Sequence, residues 1–191
     1  FLVPRLWCFT MGQKNTMAEA HERFVEEALA RYEGPLLGYA MGIVHDLDRA
    51  RDVVQDTFIR LYQQDRDKVG RGLKAWLYTV CRNRALDILR KERRLVAVNE
   101  EKLKVTEERV ASPDHSMDWG ERVSLVMATL EKLSDNQREV IRLKFQQNLS
   151  YREISEATGL AAGNVGFLLH TGLKRLRSLL PEDLLDSRLS K

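Results

Sequence analysis

Residues 149–176 read LSYREISEATGLAAGNVGFLLHTGLKRL, and this stretch decides the fold of the second half of the chain. Ser150 followed three positions later by Glu153 is the pattern of a capping box, in which side chain and backbone at a helix start satisfy each other reciprocally. A short helix opens there, with Ile154 and Ala157 on its inner side. Gly159 supplies the left-handed backbone that ends it. Leu160 plugs the angle to a second helix, which Val165 and Leu168 or Leu169 seat. Small residues at Ala157 and Gly159 suit two helices that cross closely. Turn, plug and seat coincide in the pattern of a helix-turn-helix. A generic helical hairpin is the plainer alternative.

The second helix begins near Ala162, runs to about Leu180 and stops before Pro181. Asn164, Phe167, His170, Thr171 and Lys174 recur at three- and four-residue spacing on its outer face. A recognition helix lays its first turns against base edges in the major groove. There Asn164 bonds a base or caps the helix, and Phe167 touches a thymine methyl or packs. His170 donates to a phosphate or is a bystander. Lys174, Arg175 and Arg177 hold phosphate and fix register. Tyr151 and Arg152, opening the shorter helix, reach the DNA backbone.

Upstream, apolar residues recur every three or four positions and strand signals are nearly absent, which predicts an all-α chain. From Trp119 onward Val123, Val126, Met127, Leu130 and Leu133 form one stripe. Ser134 with Gln137 offers a second capping box, before a helix carrying Val140, Ile141, Leu143, Lys144 and Phe145. Residues 96–118 read as a flexible linker. They are acidic on balance, poor in apolar periodicity and contain Ser112-Pro113-Asp114. Before the linker four helices are expected, over about 18–32, 36–45, 49–64 and 73–95. Phe24, Ala28, Leu29 and Tyr32 point inward on the first. Gly34-Pro35 breaks or kinks the chain after it, because proline lacks the backbone donor. Asp46 or Asp48 caps the third helix, whose stripe is Ala50, Val53, Val54, Thr57, Phe58, Leu61 and Tyr62. Residues 65–72 form a polar loop.

Charge is segregated. Residues 17–67 carry eleven acidic and six basic side chains, whereas residues 71–94 carry eight basic and two acidic. Such a basic block fits a polyanion partner, since each Lys or Arg near a phosphate releases condensed counterions; a solvated helix face is the alternative. Within it, LKAWLYTVCRNRALDILRKERR interleaves Trp76 and Tyr78 with cations, the pairing that suits single-stranded nucleic acid. Leu77, Val80, Cys81, Ala85, Ile88 and Leu89 make its inward stripe, and Trp76 is equally at home in a core.

Other classes are disfavoured. Cys8 and Cys81 lie far apart without metal spacing, which fits a cytosolic protein with inert thiols. No apolar run approaches the roughly 20 residues of a membrane span. The four histidines are scattered and no nucleophile or phosphate-loop motif appears, so neither an enzyme nor a cofactor or metal site is expected. Residues 1–16 are expected to be an upstream- or vector-derived tail, with Met11 or Met17 as the natural start.

Three segments, DVVQDTFIRLYQQ, LKAWLYTVCRNRALDILRKERR and LEKLSDNQREVIRLKFQQNLSYREISEATGL, together resemble the extracytoplasmic-function (ECF) sigma factors of bacterial RNA polymerase. The resemblance implies two small helical domains. A region 2-like bundle over 17–95 is joined by the linker to a region 4-like helix-turn-helix over 119–181, with a tail over 182–191. It also implies roles. Asp52, Gln55, Asp56, Ile59, Arg60 and Gln63 would face the β′ clamp helices of core RNA polymerase. Lys74, Trp76, Tyr78, Asn83, Asp87, Arg90 and Arg94 would lie along the melted −10 strand, and the 65–72 loop would capture a flipped base. Tyr151, Arg152, Asn164, Phe167, His170, Thr171, Lys174 and Arg175 would read the −35 duplex. The implied partners of the cytoplasmic protein are core polymerase (β′ and β subunits), promoter DNA and an anti-sigma factor, in the family often membrane-bound, that covers the polymerase and DNA surfaces.

The chain departs from the family pattern where it reads AAGNVGFLLHTGLKRLR. Family members often carry Ser or Thr near Ala161 and cations near Gly166, Leu168 and Thr171. A helix-turn-helix regulator acting without polymerase is the second reading of the same residues.

Overall fold

The computed structural model describes residues 5–69, 72–98, 119–181 and 184. Most of the expected linker, and nearly all of the expected C-terminal tail, lie outside these residues. The chain divides into two compact units, Phe1–Val98 and Asn99–Lys191. Every regular element among the described residues is helical.

The first unit contains α1 (Arg5–Val44), α2 (Leu47–Gln63), the single turn α3 (Arg66–Val69) and α4 (Leu73–Val98). The α1 backbone begins inside the segment expected to be a tail, and it runs unbroken through Pro35. The break expected there does not occur. Proline costs one intrahelical bond, but Leu36, Tyr39 and Ala40, just beyond it, are buried and hold the helix on its course. His45, with φ 54°, turns the chain at the end of α1. Asp46, rather than Asp48, then caps α2 by accepting from the Arg49 amide at 2.9 Å.

One face of α2 (Ala50, Val53, Val54, Thr57, Phe58, Leu61) is buried, as the stripe predicts. Tyr62 is the exception, being 56% exposed, and Leu29 on α1 is exposed as well. Against this face α4 sets Leu77, Cys81 and Ala85. The buried Thr57 hydroxyl donates to the Val53 carbonyl at 2.7 Å, so no polar atom of that side chain is orphaned. Where a polar loop is expected, Asp65 starts the α3 turn by accepting from the Asp67 amide, and Val69 pins the turn to the core.

The second unit contains α5 (Trp119–Leu130), α6 (Asp135–Ile141), a π-helical segment (Arg142–Gln146), α7 (Tyr151–Thr158) and α8 (Ala162–Leu179). Ser150 and Glu153 form the expected capping box, and Gly159 ends α7 at φ 74°. The box expected at Ser134 does not form, because the Gln137 amide turns instead to α8 and donates to the Thr171 hydroxyl at 3.2 Å. The α5–α6 corner is closed by arginine. Arg138 donates to the Glu131 and Leu133 carbonyls, and the Glu131 carboxylate pairs with Arg138 at 2.8 Å and Arg142 at 2.5 Å.

The π segment adds a residue to one turn, so Leu143 and Leu149 both reach the core while Phe145 is left exposed. Asn148, at φ 50°, lets the chain leave that turn, a conformation asparagine tolerates. Val123 and Met127, expected in the inward stripe, are exposed too.

Candidate nucleic-acid interface

Burial of one face of α2 leaves the opposite face to solvent. Asp52, Gln55, Ile59, Arg60 and Gln63 are exposed there, at helical spacing, and Asp56 is half-buried. Between α1 and α2 this surface dips into a groove of about 610 Å³, whose apolar walls include Leu29, Leu37, Phe58 and Tyr62. The sequence reading missed this groove.

The basic helix α4 packs on the same core. Asn83, Arg90 and Arg94 are exposed, and Lys74, Trp76 and Asp87 are half-buried. Tyr78 corrects the expectation of a strand-facing ring. It is 1% exposed and meets the Tyr39 ring edge-on at 5.2 Å. Its position on the helix, between Ala75 and Cys81, turns it inward, and burial raises its pKa further above the usual phenol value. Cys81 is equally inert, its thiol pushed up to about 12 by burial against a smaller opposing effect of the Thr57 hydrogen bond.

Not every cation is available. Arg84 pairs with Asp56 of α2 at 2.5 Å, Arg90 with Asp87 at 3.0 Å, and Glu92 with Arg49 of α2. Lys91, Arg93 and Arg94 are exposed and make no ion pair among the described residues. Gly70 and Arg71, in the loop expected to capture a base, lie outside the described residues. Beside that loop stands an aromatic cluster that the sequence did not announce. The His21 ring contacts Phe24 and Tyr62, its Nε2 lies 2.9 Å from the Tyr62 carbonyl, and Arg66 of α3 stacks over Phe24 at 5.2 Å. These contacts tie α1, α2 and α3 together.

In the second unit α7 and α8 meet through Ile154, Ala157, Val165 and Leu169, all buried. On the outside of α8 stand Asn164, Phe167, His170, Lys174 and Arg175. Ala161 holds the N-cap position, so Asn164 lies inside the first turn and does not cap it. Thr171 is drawn away from this face. Its hydroxyl accepts from Gln137 and donates to the Phe167 carbonyl at 2.9 Å. Tyr151 is exposed beside α8, and a methyl group placed on Gly166 would meet its ring at 3.7 Å. Lys144 stands 5.5 Å from the centre of the same ring. Arg152 is committed to Glu156 at 2.9 Å.

Among the described residues, no group of three or more His, Cys, Asp or Glu is placed to hold a metal. No described helix is long and apolar enough to cross a membrane.

Comparison with known proteins agrees with this division. The Sigma-70 region 2 family matches residues 28–95, and the Sigma-70 region 4 family matches residues 124–176. The sigma factor CarQ of Myxococcus xanthus is 30% identical over 158 residues, covering 82% of this chain and 89% of CarQ. The ECF sigma factor SigM of Bacillus subtilis is 26% identical over 156 residues, 81% of this chain and 94% of SigM. Among solved structures, the sigma factor RpoE of Bartonella quintana, crystallised with the anti-sigma factor NepR, superposes with a TM-score of 0.64 at 26% identity. That match covers 81% of this chain and 94% of RpoE. With both of its helical units matched in the family's order, the chain belongs to the ECF RNA polymerase sigma factors, the subunits that direct polymerase to promoters.

Proposed function

We propose that the exposed face of α2 (Asp52, Gln55, Asp56, Ile59, Arg60, Gln63) docks on the β′ clamp helices of core RNA polymerase. On this reading, α4 then holds the melted −10 strand through Lys74, Trp76, Asn83, Asp87, Arg90 and Arg94. Tyr151, Asn164, Phe167, His170, Lys174 and Arg175 meet the −35 element as duplex, while Arg152 reaches phosphate only by leaving Glu156. The chemistry of RNA synthesis belongs to the polymerase; this chain contributes recognition and strand separation.

The observation that carries the reading is the packing of α2 on α4, joined by Asp56–Arg84 and Arg49–Glu92. A polar face suited to protein and a basic face suited to nucleic acid thereby share one rigid unit. Docking would bring both DNA-binding units to a promoter at once, so that two modest contacts act together at high effective concentration. Purified chain added to core polymerase is expected to give runoff transcripts from a subset of genomic fragments. Failure of the chain to associate with core polymerase overturns the proposal.

RpoE is described in complex with an anti-sigma factor. By extension, a cytoplasmic anti-sigma domain, membrane-tethered or free, covers the α2 face and the α1–α2 groove of this chain. Co-purification of such a partner that blocks binding to core polymerase is the expected outcome.

A further inference from the structure

The first two turns of α8, from Ala162 to Leu169, carry no charged side chain. Guanine is most often read by arginine or lysine, whose donors match its O6 and N7. No such donor stands at the start of this helix. What faces outward is apolar: Phe167 is 64% exposed. Burial elsewhere does not account for it, because Val165 and Leu169 already seat the helix. The Tyr151 ring, itself exposed, lies against α8 one position earlier, where a methyl group on Gly166 would meet it at 3.7 Å, an ordinary contact. Asn164, one turn earlier, is the polar exception, with an amide able to pair with adenine. The cations Lys174 and Arg175 come only further along α8, where they suit phosphate rather than base edges.

Resting on the reading of α8 as the −35 recognition helix, we propose that Phe167 is a specificity-determining residue that reads the C5-methyl groups of thymines. The −35 element of this sigma factor is then defined by thymine methyls and an adenine contact, rather than by arginine–guanine pairs.

The test uses holoenzyme, reconstituted from core polymerase and the full chain, on a promoter recovered by runoff transcription. Each −35 thymine is replaced in turn by deoxyuridine, which removes only the methyl group. Burying one methyl's worth of apolar surface corresponds to about a fourfold change in affinity. At least one replacement is therefore expected to weaken binding by about that factor. Phe167→Ala is expected to bind thymine and deoxyuridine duplexes equally, whereas Phe167→Leu keeps part of the discrimination. Because Phe167 is exposed, the alanine variant is expected to melt within a degree or two of the parent, which is checked in parallel. Wild-type holoenzyme that does not distinguish the two bases overturns the inference, as does undiminished discrimination by Phe167→Ala. Absence of any −35 footprint is a different failure: it removes the underlying assignment of α8, and the inference with it.

Discussion

Asp56 on α2 and Arg84 on α4 meet at 2.5 Å, joining the helix proposed to dock on polymerase to the helix proposed to hold DNA. Both side chains keep about a third of their surface in water, 37% for Asp56 and 29% for Arg84, so the pair is screened. Exposed pairs of this kind contribute about 1 kcal/mol or less.

The first prediction separates that small structural contribution from a larger one in binding. A double-mutant cycle with Asp56→Asn and Arg84→Gln, read by urea unfolding, is expected to give a coupling of no more than about 1 kcal/mol. Asp56→Asn is expected to weaken association with core polymerase by about tenfold, the scale of an interface contact worth about 1–2 kcal/mol. A large unfolding coupling with unchanged polymerase affinity would assign Asp56 to the fold alone.

Tyr78 and Arg94 share α4 but have opposite surroundings. Tyr78→Ala removes a core ring and is expected to cost about 3–5 kcal/mol of stability. Arg90→Ala combined with Arg94→Ala is expected to change stability by less than about 1 kcal/mol, as for exposed sites away from the core. The same pair should reduce promoter opening, measured by permanganate reactivity of unpaired thymines. It should also flatten the salt dependence of holoenzyme binding, by about 0.7 in logarithmic slope for each phosphate of the single strand left without its cation.

Alkaline pH should loosen the first unit. The Cys81 thiol is raised from 9.0 to about 12 by burial, and Tyr78 is raised by the same cause. The folded state therefore favours the neutral thiol. The stability this contributes is fully present below pH 9.0 and is lost as pH climbs toward about 12. In a Cys8→Ser background, a thiol reagent at about pH 8, below the thiol's ordinary range, is expected to leave the native protein unmodified and to label Cys81 only on unfolding. Rapid labelling of the native protein would contradict the burial.

Gly172 is a packing requirement on α8. A methyl group there would lie 3.0 Å from Ile141 Cδ1 and 3.2 Å from Gln137 Cβ, and the latter is fixed to the α6 backbone. Alanine gains about 1 kcal/mol of helix propensity at an interior glycine, while overpacking costs about 1–3 kcal/mol. Gly172→Ala is thus expected to destabilise the second unit by about 1 kcal/mol. Ser150→Ala is expected to cost about the same through loss of the capping box. Thermal unfolding of the two variants checks both values.

Much of the architecture was legible because it is written in local chemistry. The Ser150–Glu153 box, the left-handed Gly159 and the spacing of Ile154, Ala157, Val165 and Leu169 each depend on residues a turn or two apart, so the helix-turn-helix could be read directly. The periodic stripe of α2 and the basic run of α4 were legible for the same reason, and with them the candidate surfaces.

Other features were not legible, since each depends on partners distant in sequence. Pro35 stays within α1 because Leu36, Tyr39 and Ala40 are held in a core built with α2 and α4. Gln137 leaves its own helix start for Thr171, 34 positions away, which also withdraws Thr171 from the outer face of α8. Tyr78, placed among cations by sequence, is turned inward to Tyr39. Leu29 and Tyr62 have apolar spacing, yet no described helix arrives to cover them, and they line an open groove instead. Periodicity says that a side chain is apolar and on which stripe it lies. Whether it meets a neighbour is settled only when helices pack, because burial is a property of the pair and not of either helix alone.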